Sequence, residues 1–198
     1  MSAAFPSPNH GDRRGQRPEL IVLHYTGMAT GEAALARLRD PDAKVSAHYM
    51  VEEDGRVFQL VPEEHRAWHA GRGVWRGEDD CNAASIGIEI VNPGFVDGPA
   101  GRVYAPFPQA QIDEVIALVR TGTVFGLVIT PDGTRGEHTH WKSGFYRIAR
   151  ATGLPLTLGF VDRTTMTSGL GPIMEVTGDV RADMDRIRAF FADKAGFA

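Results

Sequence analysis

The order and spacing of apolar residues predict an α/β protein with a mixed central sheet flanked by helices. The run ELIVLHYT, residues 19–26, is short and rich in β-branched residues, which is typical of a buried strand. Asp54-Gly55 separates two alternating segments, the pattern of a β-hairpin. A further strand, SIGIEIV at 85–91, lies between two helical segments. This alternation of strands and helices favours a mixed sheet.

The two helical segments carry start signals, stop signals and apolar stripes. Thr30 is a candidate N-cap, Leu35 and Leu38 share one face, and Pro41 ends the first helix. The second helix spans 108–120, and its apolar stripe consists of Ile112, Val115, Ile116 and Val119.

Beyond Arg120 the pattern changes to strands separated by glycine-rich turns. The strand candidates are 125–130, 154–162 and 171–176, and a helix capped by Asp179 or Thr177 closes the chain. Residues 1–18 and 63–73 are predicted to be irregular. The second of these segments is polar and aromatic, which is typical of a binding loop.

Composition excludes several classes of protein. The 198 residues are 42% hydrophobic and 23% charged, with a net charge of −4, so we expect a globular protein and no nucleic-acid partner. The single cysteine, Cys81, excludes an internal disulfide and a cysteine-only zinc site. The first residues lack the apolar core of a signal peptide, and no apolar run reaches the ~18 residues of a membrane span, so we expect a cytoplasmic protein.

Three residues stand out as candidates for chemistry. His24 ends the first strand, where it is either a half-buried histidine with a structural role or a site residue, since sheet proteins commonly place site residues there. Glu89 alternates with isoleucines, so it faces either solvent or a cleft, and a raised pKa in a cleft would suit a general base. His69 follows Trp68 on the polar, aromatic loop, where it is either solvated or in contact with a ligand.

Several segments together resemble one family of enzymes. SPNHGDRR, LIVLHYTGM, VSAHYMVEEDGRVFQLVPEEHRAWHAG and NAASIGIEIVNPG are similar to the zinc-dependent N-acetylmuramoyl-L-alanine amidases and their relatives, the peptidoglycan recognition proteins. The resemblance runs from about Ser7 to about Arg120. It implies hydrolysis of the amide between N-acetylmuramic acid and the L-alanine of peptidoglycan fragments (muropeptides).

The same resemblance assigns roles to individual residues. His24 would be a zinc ligand, and Glu89 would take a proton from the zinc-bound water. Trp68, His69 and Asn82 would line the substrate groove. The segment in which the family carries its other two ligands and a lysine has no counterpart here, and a catalytic zinc needs three protein ligands. We therefore expect an impaired zinc site.

The segment from Phe125 onwards resembles a second family, the 1-acylglycerol-3-phosphate (lysophospholipid) acyltransferases. Pro131 to Gly136, PDGTRG, is similar to their phosphate-binding block, in which Gly133, Thr134 and Arg135 would hold phosphate. The histidine base of that family, in a His-x4-Asp block, is absent from this chain. Lysophosphatidate or an acyl donor would be the partner of this part.

The two resemblances predict two incomplete domains. Residues 1–120 would be amidase-like without their C-terminal part, and residues 121–198 would be an acyltransferase-like α/β segment without its N-terminal part. The first hypothesis, based on the family resemblance of the longer N-terminal part, is an amidase. The alternatives are an acyltransferase fragment and a non-catalytic muropeptide-binding module. His138 and His140, two residues apart, either chelate one metal and replace the missing zinc ligands or belong to a solvated loop.

Overall fold

In the computed structural model, residues 3–70, 80–98, 101–121, 126–129, 144–162, 164–165 and 167–194 are described. The chain divides into two compact units, Met1–Gly133 and Thr134–Ala198. The elements of the first unit are β1 (Ala3–Ala4), β2 (His10–Asp12), β3 (Leu20–Tyr25), α1 (Gly31–Arg39), β4 (Tyr49–Val51), β5 (Val57–Gln59), β6 (His65–Ala67), β7 (Ser85–Ile90), β8 (Phe95–Gly98), β9 (Gly101–Tyr104), α2 (Gln109–Thr121) and β10 (Gly126–Ile129).

A mixed sheet of six strands forms the first unit and confirms the predicted architecture. Its strand order is β1-β5-β4-β7-β3-β10. β4 and β5 pair antiparallel as the predicted hairpin, whereas the other neighbouring pairs are parallel. Gly55 lies in the hairpin turn with φ +87°, a conformation that glycine adopts without steric cost.

The sheet and α1 share an apolar core. α1 begins at the predicted cap, where the Thr30 side chain accepts a hydrogen bond from the Ala33 N–H at 3.2 Å. The buried residues of this core come from α1, the sheet and the segments that follow its strands, and they are Ala34, Leu38, Met50, Phe58, Leu60 and Val91. α2 is tied to the sheet by Gln111, whose amide donates to the backbone oxygens of Val51 and Val91.

Several elements differ from the sequence-based expectation. The segments predicted to be irregular contain β1, β2 and β6, and β2 pairs antiparallel with β6. Strands of two or three residues are too short to show an alternating pattern, which explains why they were missed. β8 and β9 form another hairpin, which was not predicted.

The second unit consists of a hairpin and two helices in its described part: α3 (Gly144–Thr152), β11 (Leu156–Asp162), β12 (Thr167–Met174) and α4 (Val180–Phe191). Strands β11 and β12 pair antiparallel, and the Asp179 side chain caps α4 as predicted. α3 was not predicted. Its buried Phe145, Tyr146, Ile148 and Ala149 have the spacing of a helix face. No described helix is both long enough and apolar enough to cross a membrane.

Asp183 connects the two helices of the second unit. Its side chain is 1% exposed and accepts hydrogen bonds from the Tyr146 hydroxyl at 2.9 Å and from the Thr177 N–H at 2.8 Å. Burial alone would raise the pKa of this carboxyl, but the hydrogen bonds outweigh burial and hold the pKa below its usual value.

Acid is therefore expected to weaken the second unit through Asp183. A group with a lowered folded-state pKa stabilises the fold above its unfolded pKa, and the stabilisation is lost as pH falls through the folded pKa. We expect Asp183→Asn to lower the free energy of unfolding at neutral pH. The variant should also lose less of that free energy than the wild type as the pH falls. Urea unfolding at several pH values measures both effects, with Asp185→Asn as the exposed control on the same helix. Equal pH profiles for wild type and Asp183→Asn would contradict this assignment.

Candidate active site

Strands β3 and β7 place His24 and Glu89 side by side. The two strands are parallel neighbours, and His24 is the register partner of Glu89. Register partners on parallel strands point to the same face of a sheet, so the two side chains share one face. Ser85 and Gly87 precede Glu89 at intervals of two and lie on this face as well. The alternation in SIGIEI therefore separates the site residues from the buried isoleucines, as predicted.

Glu89 lies in a largely buried environment and not on a solvent-facing strand. Its Oε2 atom is buried and has no hydrogen-bond partner among the described residues. Burial raises the pKa of the Glu89 carboxyl to about 7. A carboxyl with a pKa near neutrality exchanges a proton readily at physiological pH, and this property suits a general base.

His69 lies over this face, in contact with His24. His69 Nδ1 is 3.1 Å from His24 Nε2, and His69 Nε2 is 3.1 Å from the Ser85 hydroxyl. The ring covers Gly87, where an added Cβ would lie 2.3 Å from the His69 Cγ. Burial lowers the pKa of His24. Burial also lowers the pKa of His69, and the neighbouring His24 lowers it further. Both rings are therefore neutral at pH 7.

Asn82 and Trp68 flank His69. The Asn82 side-chain oxygen accepts hydrogen bonds from the N–H groups of His69 at 3.0 Å and Ala70 at 2.7 Å. The Asn82 amide donates to the Ala70 oxygen at 2.7 Å. Trp68 Nε1 is buried and has no hydrogen-bond partner in the described part of the chain. Asn82 thus holds the backbone at His69, and contact of these three residues with substrate stays a prediction.

A buried polar network supports the strand beneath His69. His48 is fully buried, and its Nδ1 accepts a hydrogen bond from the Gly87 N–H at 2.9 Å. Arg13, 4% exposed, donates to the backbone oxygens of Ala83 at 2.6 Å and Ser85 at 3.1 Å. Burial lowers the pKa of His48 to about 4, so this ring is also neutral. The start of β7 is consequently held by hydrogen bonds from Arg13 to the carbonyl groups of Ala83 and Ser85 and by the bond from the Gly87 N–H to His48.

The residues at this site fit part of a zinc centre. His24 offers an imidazole ligand, and the Glu89 oxygen that lacks a partner in the described part of the chain offers a base on the neighbouring strand. The described residues contain no group of three side chains that could hold a metal ion. His138 and His140, the candidates to complete the ligand set, lie outside the described residues, as do Gly133, Thr134 and Arg135 of the phosphate-binding prediction.

Comparison with known proteins identifies the family. A family model described as N-acetylmuramoyl-L-alanine amidase (Amidase_2) matches residues 14–147. Because this span exceeds half of the chain, the protein belongs to that family, which is zinc-dependent. The match crosses the domain boundary predicted at 120–121 and includes the residues that resemble a phosphate-binding block.

Individual relatives agree with this assignment. N-acetylmuramoyl-L-alanine amidase AmiD of Escherichia coli is 40% identical over 111 residues, which are 52% of this chain and 39% of AmiD. 1,6-anhydro-N-acetylmuramyl-L-alanine amidase AmpD of Enterobacter cloacae is 33% identical over 134 residues, 59% of this chain and 67% of AmpD. The structure of E. coli AmiD with anhydro-N-acetylmuramic acid-L-Ala-D-gamma-Glu-L-Lys has a TM-score of 0.52 and 28% identity, covering 76% of this chain and 60% of that one. The chain thus spans 39% of the length of AmiD in the sequence comparison and 60% of the AmiD chain in the structural comparison.

Sequence reasoning missed two residues of the site, Ser85 and Gly87. Both share the face of Glu89 because they precede it at even spacing on one strand. That alternation was the available signal. The contact of both residues with His69 depends on a loop whose path no periodicity reveals.

Proposed function

We propose that the protein is a zinc-dependent amidase that hydrolyses the bond between N-acetylmuramic acid and L-alanine in muropeptides. The observation that carries the proposal is the buried Glu89 oxygen, which has no hydrogen-bond partner among the described residues and belongs to the register partner of His24 on the adjacent parallel strand. The family match and the substrate in the AmiD complex support the choice of substrate.

Glu89 acts as the general base in this proposal. Zinc, when bound, supplies Lewis acidity that polarises the scissile carbonyl and makes a water molecule more acidic. Glu89 Oε2 takes a proton from the attacking water as the water oxygen bonds to the lactyl carbonyl carbon. The C–N bond then breaks, and the proton held on Glu89 passes to the departing L-alanine amine. A pKa near 7 permits both transfers.

His24 holds the metal in this proposal, and Trp68 contributes to the muropeptide groove. Because the sequence lacks the motif that carries the other zinc ligands in the family, we expect weak zinc binding and turnover limited by zinc occupancy. Added zinc should therefore raise the rate until the site is filled.

A cleavage assay tests the proposal. The protein is incubated with anhydro-N-acetylmuramoyl-tripeptide over a series of zinc concentrations, and the released peptide is quantified by mass spectrometry. We expect zinc-dependent release that is lost in His24→Ala. Binding to insoluble peptidoglycan without release, unaffected by His24→Ala, would instead identify a non-catalytic module. No release at any zinc concentration would refute the amidase.

The acyltransferase alternative gains no support from the comparisons. Every relative and structure named above is an amidase, and the family model extends across residues 131–136. Transfer of a radiolabelled acyl group to lysophosphatidate would be the observation in its favour, and we expect none because the chain lacks a His-x4-Asp block.

A further inference from the structure

We propose that His69 is a positioning residue that fixes the tautomer and orientation of His24, so that Nδ1 of His24 is the nitrogen that would bind a metal. The inference rests on the proposed zinc site for its functional meaning. It assigns to His69, Ser85 and Asn82 a role that differs from lining the substrate groove.

A directional series of hydrogen bonds begins at Ser85. The Ser85 hydroxyl contacts the Cys81 backbone oxygen, which can only accept, so the single hydroxyl proton is donated there. The same hydroxyl oxygen must then accept from His69 Nε2–H, 3.1 Å away. His69 therefore carries its proton on Nε2, and its Nδ1 is an acceptor.

His24 completes the series. Its Nε2 lies 3.1 Å from the acceptor nitrogen of His69, so His24 Nε2 must carry a proton and donate it. Nδ1 is then the ring nitrogen of His24 that is left to bind a metal. Histidines that bind metals commonly donate their other ring N–H to an acceptor that orients them, and His69 provides such an acceptor for His24.

The position of His69 is itself enforced by its neighbours. Gly87 has no side chain where the ring lies, since a Cβ there would be 2.3 Å from His69 Cγ. Asn82 accepts hydrogen bonds from the backbone N–H groups of His69 and Ala70. The ring thus lies between the Ser85 hydroxyl and the Gly87 backbone, and Asn82 fixes the main chain that carries it, so its placement is determined before any ligand binds.

The tautomers can be measured directly in the wild-type protein without metal. Long-range ¹H–¹⁵N correlation spectra of histidine-labelled protein distinguish a protonated Nε2 from a protonated Nδ1. We expect the Nε2–H tautomer for both His24 and His69. A dominant Nδ1–H tautomer at His24 would overturn the inference, and this result requires no variant to fold.

Variants then test whether the hydrogen bond between His24 and His69 strengthens zinc binding. His69→Leu removes both polar atoms, and we expect it to weaken zinc binding about 10- to 100-fold and to leave His24 with mixed tautomers. His69→Gln keeps one acceptor and one donor and should rescue most of the affinity. Affinity is measured by competition with a chromophoric chelator, and folding by circular dichroism.

Ser85→Ala probes the far end of the series, with Ser7→Ala as a matched control. Ser7 is also a buried serine, and its hydroxyl donates to the Leu38 oxygen at 2.6 Å and accepts from the Asn9 N–H at 3.2 Å. We expect Ser85→Ala, but not Ser7→Ala, to mix the tautomers of His69 and weaken zinc binding. Folded His69→Leu and Ser85→Ala proteins with wild-type zinc affinity and tautomers would refute the positioning role.

The two proposals fail in different ways. If the protein is not an amidase, cleavage is absent while the tautomers and the variant effects on zinc affinity are as expected. If His69 does not position His24, cleavage persists in wild type while His24 shows the other tautomer.

Discussion

Replacing Glu89 by glutamine is expected to lower the rate of muropeptide cleavage by about 10²- to 10⁴-fold, the usual contribution of a general base. Glutamine has nearly the same shape but cannot take a proton from water. The buried Oε2 atom of Glu89 has no hydrogen-bond partner among the described residues, so little structural reorganisation is expected. Initial rates at saturating zinc measure the loss, and zinc affinity should change by less than about tenfold because His24 is retained.

Glu52→Gln is the matched control for this substitution. Glu52 follows β4 of the same sheet, and burial also raises the pKa of its carboxyl. Its carboxylate lies against Gly31, at the start of α1, and not beside His24. We expect Glu52→Gln to cleave at nearly the wild-type rate. Equal losses in both variants, or an active Glu89→Gln, would remove Glu89 from the role of base.

The second large effect is expected from Gly87→Ala. The added methyl group would overlap the His69 ring, so the ring must move and lose its contacts with His24 and Ser85. Overpacking of this kind costs about 1–3 kcal/mol of the free energy of unfolding. Loss of the orienting hydrogen bond should also weaken zinc binding about 10- to 100-fold. Chemical denaturation and chelator competition measure the two effects.

Gly144→Ala controls for the replacement of glycine itself. Gly144 begins α3, and an added Cβ there meets no atom of the described residues within 4 Å. Alanine favours the helix over glycine, so this variant should be unchanged or more stable by up to about 1 kcal/mol. Zinc affinity should equal that of wild type. If Gly87→Ala behaved in the same way as Gly144→Ala, His69 would not lie over Gly87.

The parts of the fold that were predicted correctly are those in which a local pattern meets a simple geometric rule. His24 ends an apolar run and Glu89 alternates with isoleucines, and parallel pairing of the two strands brings them into register. The hairpin at Asp54-Gly55 and the caps at Thr30 and Asp179 follow from the backbone preferences of single residues.

The remaining features depend on contacts between distant segments. His69 is 45 residues from His24 in the sequence, and its position depends on Asn82 and on the space above Gly87. Pairing of β2 with β6 similarly joins two three-residue segments that have no periodicity of their own. Arg13, charged and 4% exposed, is accommodated by several backbone carbonyls, an arrangement that charge patterning does not reveal.

The most direct test of the proposed activity is to follow the oxygen of the attacking water. Anhydro-N-acetylmuramoyl-tripeptide is cleaved by the zinc-loaded protein in H₂¹⁸O, and both products are analysed by mass spectrometry. A water that attacks the lactyl carbonyl places one ¹⁸O in the new carboxylate of the muramic acid and none in the released peptide, which is the result we expect. A label in the peptide, cleavage at another amide, or intact substrate at saturating zinc would contradict the account.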